Sequence, residues 1–398
     1  MDPADLQRKG YSIAALREMA RAALPRMVFD MVDGAAGDEI TMRNNARALA
    51  EIELAPKLLA GAPNRDQTCE LFGVKLTTPV IIGPTGLAGL LWPHAELATA
   101  RAAARFGTIY TTSHASTSTI EEIGAASPGP KWMQVFLYKD RGITADFAAR
   151  AAAAGYQGLV LTVDNQVVAG RDRDARNGMN FPLRWSARNM LDLASRPGWL
   201  MRMSRKPNPT FVNYGARSSI GAFGPLMIEQ LDPDIGWRDV DWLRKQWRGP
   251  LLIKGLLRAD EAREARARGA DAVIVSNHGG RQLDGAVATI RALPAIADAV
   301  GGAMQVLVDG GFRRGIDVVK ALALGARAVM IGRPHLWGVA CAGEEGVLWA
   351  LELFRREIDR ALALGGWDGV ATLDRSIFFE RVPAGPLAGS ANPPGTNG

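Results

Sequence analysis

The chain is short of the residues that staple or anchor a protein. Its 398 residues include two cysteines, Cys69 and Cys341, far apart. That excludes a disulfide framework and zinc spacing, and it suits a reducing compartment. The four histidines fall in four separate segments without ligand spacing, so no metal site is expected. No apolar run approaches the ~18 residues of a membrane-spanning helix. Met1-Asp2-Pro3-Ala4-Asp5 lacks the basic-then-apolar pattern of a secretory signal. Charge is not strongly one-sided. A net +6 is compatible with an anionic substrate or cofactor, but it is too diffuse to indicate nucleic acid. The expected location is the cytoplasm.

What is present is a rhythm. After a helical N-terminal segment over about 12–60, short apolar runs alternate with alanine-rich helical segments. Ser12 is a candidate helix N-cap, and Pro25 suits the start of the next helix. The runs are Val80–Ile82, Thr108–Thr112, Trp132–Phe136, Leu159–Val163, Leu251–Ile253, Ala272–Val275, Gln305–Val308 and Ala328–Ile331. Continuous apolar runs are what strands buried on both faces look like. Eight such units predict an α/β fold, a (β/α)8 TIM barrel, with an N-terminal helical extension.

One gap breaks the rhythm. About 165–236 is a long insertion after strand four. Its stretch 184–217 carries seven Lys/Arg (184, 188, 196, 202, 205, 206 and 217) and one acidic residue, Asp192. Trp185, Trp199, Leu200, Met201 and Met203 lie among them. Such a segment would suit peripheral contact with an anionic membrane surface; a lid over the barrel mouth or an oligomer contact are the alternatives. The prediction is one domain over 1–382 and a loose Pro/Gly-rich tail over 383–398.

Catalytic groups of such barrels sit at the C-terminal strand ends, and a polar or glycine-rich cluster follows every run. These are Pro84-Thr85-Gly86, Ser113-His114, Gln134, Thr162 with Asp164, Lys254, Ser276 to Arg281, Asp309-Gly310-Gly311-Phe312-Arg313, and Gly332-Arg333. The last two have the character of a phosphate site. Lys254 ends an apolar strand and needs an anionic partner, which a flavin ring could supply. In Ser276-Asn277-His278-Gly279-Gly280-Arg281 the imidazole can take a proton, and the guanidinium can hold a carboxylate.

The motifs SNHGGRQLDG, LVDGGFRRGIDVVKALALGA and GPTG are specific in combination. Over about 12–380 the chain resembles the FMN-dependent 2-hydroxy-acid oxidase and dehydrogenase family, with Gly83 to Leu87 and Leu91-Trp92-Pro93 most similar to its mandelate dehydrogenase branch. The resemblance implies FMN as cofactor and His278 as the base that accepts a proton from the substrate. It implies Asp164 as the partner of that histidine, and Arg281 and Arg171 at the substrate carboxylate. Pro84, Thr85, Gly86, Ser113, Gln134, Thr162, Lys254 and Ser276 match groups along the isoalloxazine ring and ribityl chain. Asp309, Gly310, Gly311, Phe312, Arg313, Gly332 and Arg333 match the ribityl and phosphate end. Oxygen, a quinone or another carrier would take the electrons, and a homotetramer is the common assembly of such relatives.

Two tyrosines usual in this family are missing, leaving Met31 and Phe136. Either this is tolerated drift, or the substrate is larger, more apolar or of another kind. Ala115 stands where glycolate oxidase-like sequences carry tryptophan, which opens room for a phenyl-sized group. His114 reads either as an extra pocket donor or as a histidine held behind the wall. His94 and His335, on loops beside Pro93 and Pro334, read as structural. The leading expectation is oxidation of a bulky or aromatic (S)-2-hydroxy acid, mandelate-like, to the 2-oxo acid. Oxidative tailoring of a peptide-derived or specialised metabolite is the second reading. A flavin-binding protein without turnover is the third, and His278 with Asp164 argues against it.

Overall fold

The computed structural model describes residues 2–379, apart from 180–182, 205–209 and 218–219. The expected tail from 383 onward, Arg205 and Lys206 lie outside the described residues. The eight runs form β1 Val80–Ile82, β2 Tyr110–Thr112, β3 Lys131–Val135, β4 Gly158–Thr162, β5 Leu251–Leu256, β6 Ala272–Val275, β7 Gln305–Val308 and β8 Ala328–Ile331. They pair in parallel around a closed barrel in sequence order, with β8 returning to β1.

The strands are apolar throughout because both faces are covered. Ile81, Trp132, Val160, Leu252, Ile274, Leu307 and Met330 form an inner cluster. Alternate residues such as Val80, Ile82, Leu159, Leu161, Val273 and Val275 join the larger core beneath the helices. A hairpin, Cys69–Leu71 with Val74–Leu76, contributes Leu71 and Leu76 to the inner cluster.

Four helices precede the barrel: α1 Pro3–Lys9, α2 Ile13–Ala23, α3 Arg26–Asp33 and α4 Ile40–Ala50. The Ser12 side chain accepts the Ala15 N–H and caps α2 as expected, and Pro25 immediately precedes α3. Asp33, at the end of α3, ties this region together. It accepts two hydrogen bonds from Arg17 of α2, at 2.6 and 2.7 Å, and one from Arg173 of the insertion at 2.8 Å.

The insertion carries three short helices, Asp172–Arg176, Ala187–Ala194 and Pro197–Met203, and then Ile220–Gln230. It folds back onto the barrel. Trp199 Nε1–H donates to the Leu90 carbonyl at 2.9 Å, Arg196 donates to the Ala22 carbonyl, and Arg202 lies over the Trp92 ring. Trp199 and Met203, grouped by sequence with the exposed apolar residues, are half-buried and buried because they pack on this wall. Trp185, Met190, Leu191, Leu200 and Met201 are exposed.

Candidate active site

The period of a strand places the site. Side chains alternate inward and outward, so a residue two positions past an inward core residue also points inward, one layer higher. Trp132 is followed by Gln134, Val160 by Thr162, Leu252 by Lys254, Ile274 by Ser276, Leu307 by Asp309 and Met330 by Gly332. The polar clusters therefore form the top layer of the barrel interior. A cavity of about 670 Å³ opens above it. Of the residues expected from sequence, all but Asp164 and Ser276 line this cavity.

Asp164 and Ser276 lie behind the wall and orient what faces it. His278 Nδ1 is 2.9 Å from Asp164 Oδ1. Ser276 Oγ accepts the His278 backbone N–H at 3.0 Å and the Lys254 ammonium at 2.8 Å. Lys254 also pairs with Asp309 Oδ2 at 3.2 Å, so its anionic partner comes from the chain itself. His278 has φ of 57°, in the left-handed region, as have Gly279 and Gly280 after it. A Cβ on Gly280 would lie 2.6 Å from the Met42 backbone nitrogen, so the turn sits against α4. Asn45 of α4 and Asn277 exchange two side-chain hydrogen bonds of 2.9 Å, which hold the turn from below.

Burial shifts these groups. Desolvation lowers the His278 pKa, although the Asp164 carboxylate opposes it. Burial raises the Asp164 carboxyl, but His278 and then Lys254 outweigh that and hold it below the usual range.

A set of arginines lines the same cavity. Burial, and then repulsion from Arg171 and Arg333, pushes the Arg281 pKa well down. Burial and the Arg333 charge push Arg313 down to about 9, and burial lowers Arg333 to about 10. Arginine stays charged at working pH, so these are cations held in a desolvated setting beside one another. Arg171 Nε is buried with no hydrogen-bond partner among the described residues, and the nearest carboxylate, Asp174, is 3.9 Å from its Nη1.

Two arginines also have structural work. Arg281 Nη1 donates to the carbonyls of Met31 and Gly34 at 2.9 and 2.8 Å. Arg333 donates to those of Val32, Asp33, Gly34 and Gly279. Cations suit the C-terminal carbonyls of α3. The Arg333 guanidinium, expected at a phosphate, is thus already bound by carbonyls. His335 is in the first turn of helix Arg333–Gly365 rather than on a loop, 3.2 Å from Thr85 Oγ1.

Beyond Arg171, sequence reasoning did not name the insertion's residues in the wall. Met179, Phe211, Met227, Ile228 and Leu231 line the cavity, and no strand-end position marks them. It also missed Tyr138 and Tyr214, whose hydroxyls meet His114.

Comparison with known proteins adds the decisive observation. The family model described as FMN-dependent dehydrogenase matches residues 20–380. The chain belongs to the FMN-dependent 2-hydroxy-acid oxidase and dehydrogenase family. It is 43% identical over 377 residues to the L-lactate dehydrogenase of Caulobacter vibrioides, covering 94% of this chain and 98% of that protein. It is 40% identical to the L-lactate dehydrogenase of Pectobacterium atrosepticum, over 90% of this chain and 94% of that one. Among solved structures it is similar to the monotopic membrane protein (S)-mandelate dehydrogenase, with TM-score 0.90 and 38% identity over 93% of this chain and 99% of that one. A mandelate oxidase matches with TM-score 0.79 and 35% identity over 92% and 97%.

This family member is an FMN-dependent oxidoreductase. Its cavity fits that cofactor. Gln134 Nε2 and Thr162 Oγ1, in the top layer, are buried without hydrogen-bond partners among the described residues. A polar planar ring would satisfy such atoms.

Proposed function

We propose that the protein oxidises a bulky or aromatic (S)-2-hydroxy acid to the 2-oxo acid, with His278 as the base. The observation that carries this is His278, backed by Asp164, facing one cavity with Arg171 and Arg281, two half-buried cations with weak internal counter-charge. Two guanidinium groups can hold the substrate carboxylate. With Nδ1 bound to Asp164, His278 takes the hydroxyl proton on Nε2. The Asp164 carboxylate then stabilises the imidazolium. When bound, FMN would supply the acceptor for the α-hydrogen together with its two electrons, and the electrons would then pass to oxygen, a quinone or another carrier. Gln134, Thr162, Ser113, Lys254 and Pro84 to Gly86 would hold its ring and ribityl chain, with Ser276 behind the wall positioning Lys254 and the His278 backbone. Asp309 to Arg313 and Gly332 would hold the ribityl and phosphate end, and Arg333, held by the α3 carbonyls, would add its charge from the wall.

Ala115, Met31, Phe136 and the insertion's apolar wall favour a large side chain over a methyl. Anaerobic mixing with a panel of 2-hydroxy acids, including (S)-mandelate and (S)-lactate, is expected to bleach the oxidised flavin band, and mandelate is expected to act at lower concentration. No bleaching by any of them would sink the reading. A second reading is oxidative tailoring of a peptide-derived or specialised metabolite. Met31 and Phe136 favour it, since neither offers a hydroxyl to a carboxylate. Mass spectrometry of products from cell extracts separates the two.

We also propose peripheral membrane contact through 184–217. Exposed Arg184 and Arg188 flank Trp185, and Leu191 and Met201 are 73% and 67% exposed. Among the described residues no helix is long and apolar enough to cross a membrane. The homotetramer implied by the resemblance is tested by light scattering.

A further inference from the structure

One guanidinium of the arginine set is held by a ring instead of by an acid. Arg313 Cζ lies 4.8 Å from the centre of the Trp337 ring. Among the described residues its side chain has no ion pair, and its one hydrogen bond runs from Nη1 to the neighbouring Phe312 carbonyl at 2.8 Å. The nearby acids are engaged elsewhere. Asp33 accepts from Arg17 and Arg173, and Asp317 accepts the backbone N–H groups of Arg313 and Arg314. Arg313 lines the cavity and Trp337 does not. The indole therefore backs the guanidinium from the protein side, and the other guanidinium N–H groups are left for a ligand in the cavity.

The spacing of the helix explains why a ring is there. Arg333 and Trp337 are four residues apart in the first turns of helix Arg333–Gly365, so they share one face and address the same end of the cavity. The Arg333 charge repels Arg313. A carboxylate beside Arg313 would offset that repulsion, but it would also compete with an anionic ligand. The negative face of an aromatic ring attracts the cation while leaving its charge and its N–H groups unspent. Trp337 is 2% exposed, and its Nε1 is buried with no hydrogen-bond partner among the described residues. Phenylalanine would fill such a place without an unpaired donor. What indole adds over phenylalanine here is the stronger π face.

We propose that Trp337 is a positioning residue for the cofactor's phosphate: its ring holds the Arg313 guanidinium charged and aimed at the anion. It acts through Arg313 and does not touch the ligand. The inference rests on the reading of Arg313 as a phosphate contact. It makes Trp337 matter for a flavin that carries a phosphate and not for one that lacks it.

The test compares Kd for FMN with Kd for riboflavin, which has no phosphate, on the full chain stripped of flavin. A partly desolvated cation–π contact is worth about 5- to 30-fold in binding. Trp337→Leu is expected to weaken FMN by that factor and riboflavin by less than about twofold. Trp337→Phe keeps a weaker ring and should lose about two- to fourfold, again for FMN alone. Unchanged FMN affinity, or equal losses for the two flavins, overturns the role, since a merely structural ring would serve both alike.

A double-mutant comparison reads the route. In an Arg313→Ala background the Trp337→Leu loss should vanish, and a loss that persists there overturns the proposal. Should Trp337→Leu not fold, Trp337→Phe carries both comparisons. Failure of the parent reading is distinguishable. Arg313→Ala that binds FMN as tightly as wild type removes the phosphate contact itself, whereas Arg313→Ala weakened for FMN beside unaffected Trp337 variants removes only the role of Trp337.

Discussion

His278 is the residue on which the chemistry turns, and its environment makes two demands that pull against each other. Burial disfavours the imidazolium, and Asp164 favours it. Burial is the larger effect, so the net shift is below the ordinary histidine value of 6.5. A base must be neutral to act. The acid limb of kcat/KM is therefore expected below pH 6.5, with activity lost as pH falls through the lowered pKa. Asp164→Asn removes the opposing carboxylate, so that limb should move further down while kcat falls at every pH. A pH–rate profile with the limb above 6.5 would contradict this account of His278. His278→Ala should slow flavin reduction about 10²–10⁴-fold and leave FMN bound, as read by stopped-flow and by the flavin spectrum.

At the scale of elements, strand ends hold the site and two segments brace it. The end of β5 shows how tight this is. Gly255 has φ of 114°, and a Cβ there would lie 2.9 Å from the Asp164 Cβ. Gly255→Ala is expected to cost about 1–3 kcal/mol in unfolding free energy, from the positive φ and the contact. It should also lower kcat by displacing Asp164 from His278. Urea melts and kcat of the same preparation check both, and a stable variant of full activity would refute it. The second brace is the C-terminus of α3, whose carbonyls at Met31 and Gly34 hold Arg281. Strand ends were readable in sequence because each follows a recognisable apolar run. The α3 brace was not, because a carbonyl carries no residue identity.

At the scale of the whole molecule, the insertion joins the cavity to the surface. Its inner residues wall the cavity, and its outer residues are basic and apolar. Replacing Trp185, Leu191 and Met201 together by serine should abolish co-sedimentation with anionic phosphatidylglycerol vesicles. The melting temperature should stay within about 2 °C, because these side chains are exposed. Equal sedimentation by wild type and variant would remove membrane contact from this surface.

The eight apolar runs, their order and the polar or glycine-rich cluster closing each one determined the barrel and the strand-end residues of the cavity, because a strand's period of two carries each position to a known face. The cofactor, and the places of Arg171 and Met31, came from the resemblance of the motifs around His278 and Asp309 to a known family. Only the tertiary structure decided the rest. Lys254 is neutralised by Asp309, Arg333 is bound by the carbonyls of α3, Trp199 and Met203 are turned inward, and Tyr138 and Tyr214 converge on His114. Each of these is a meeting of segments far apart in the chain, and local periodicity carries no record of which distant atoms will be neighbours.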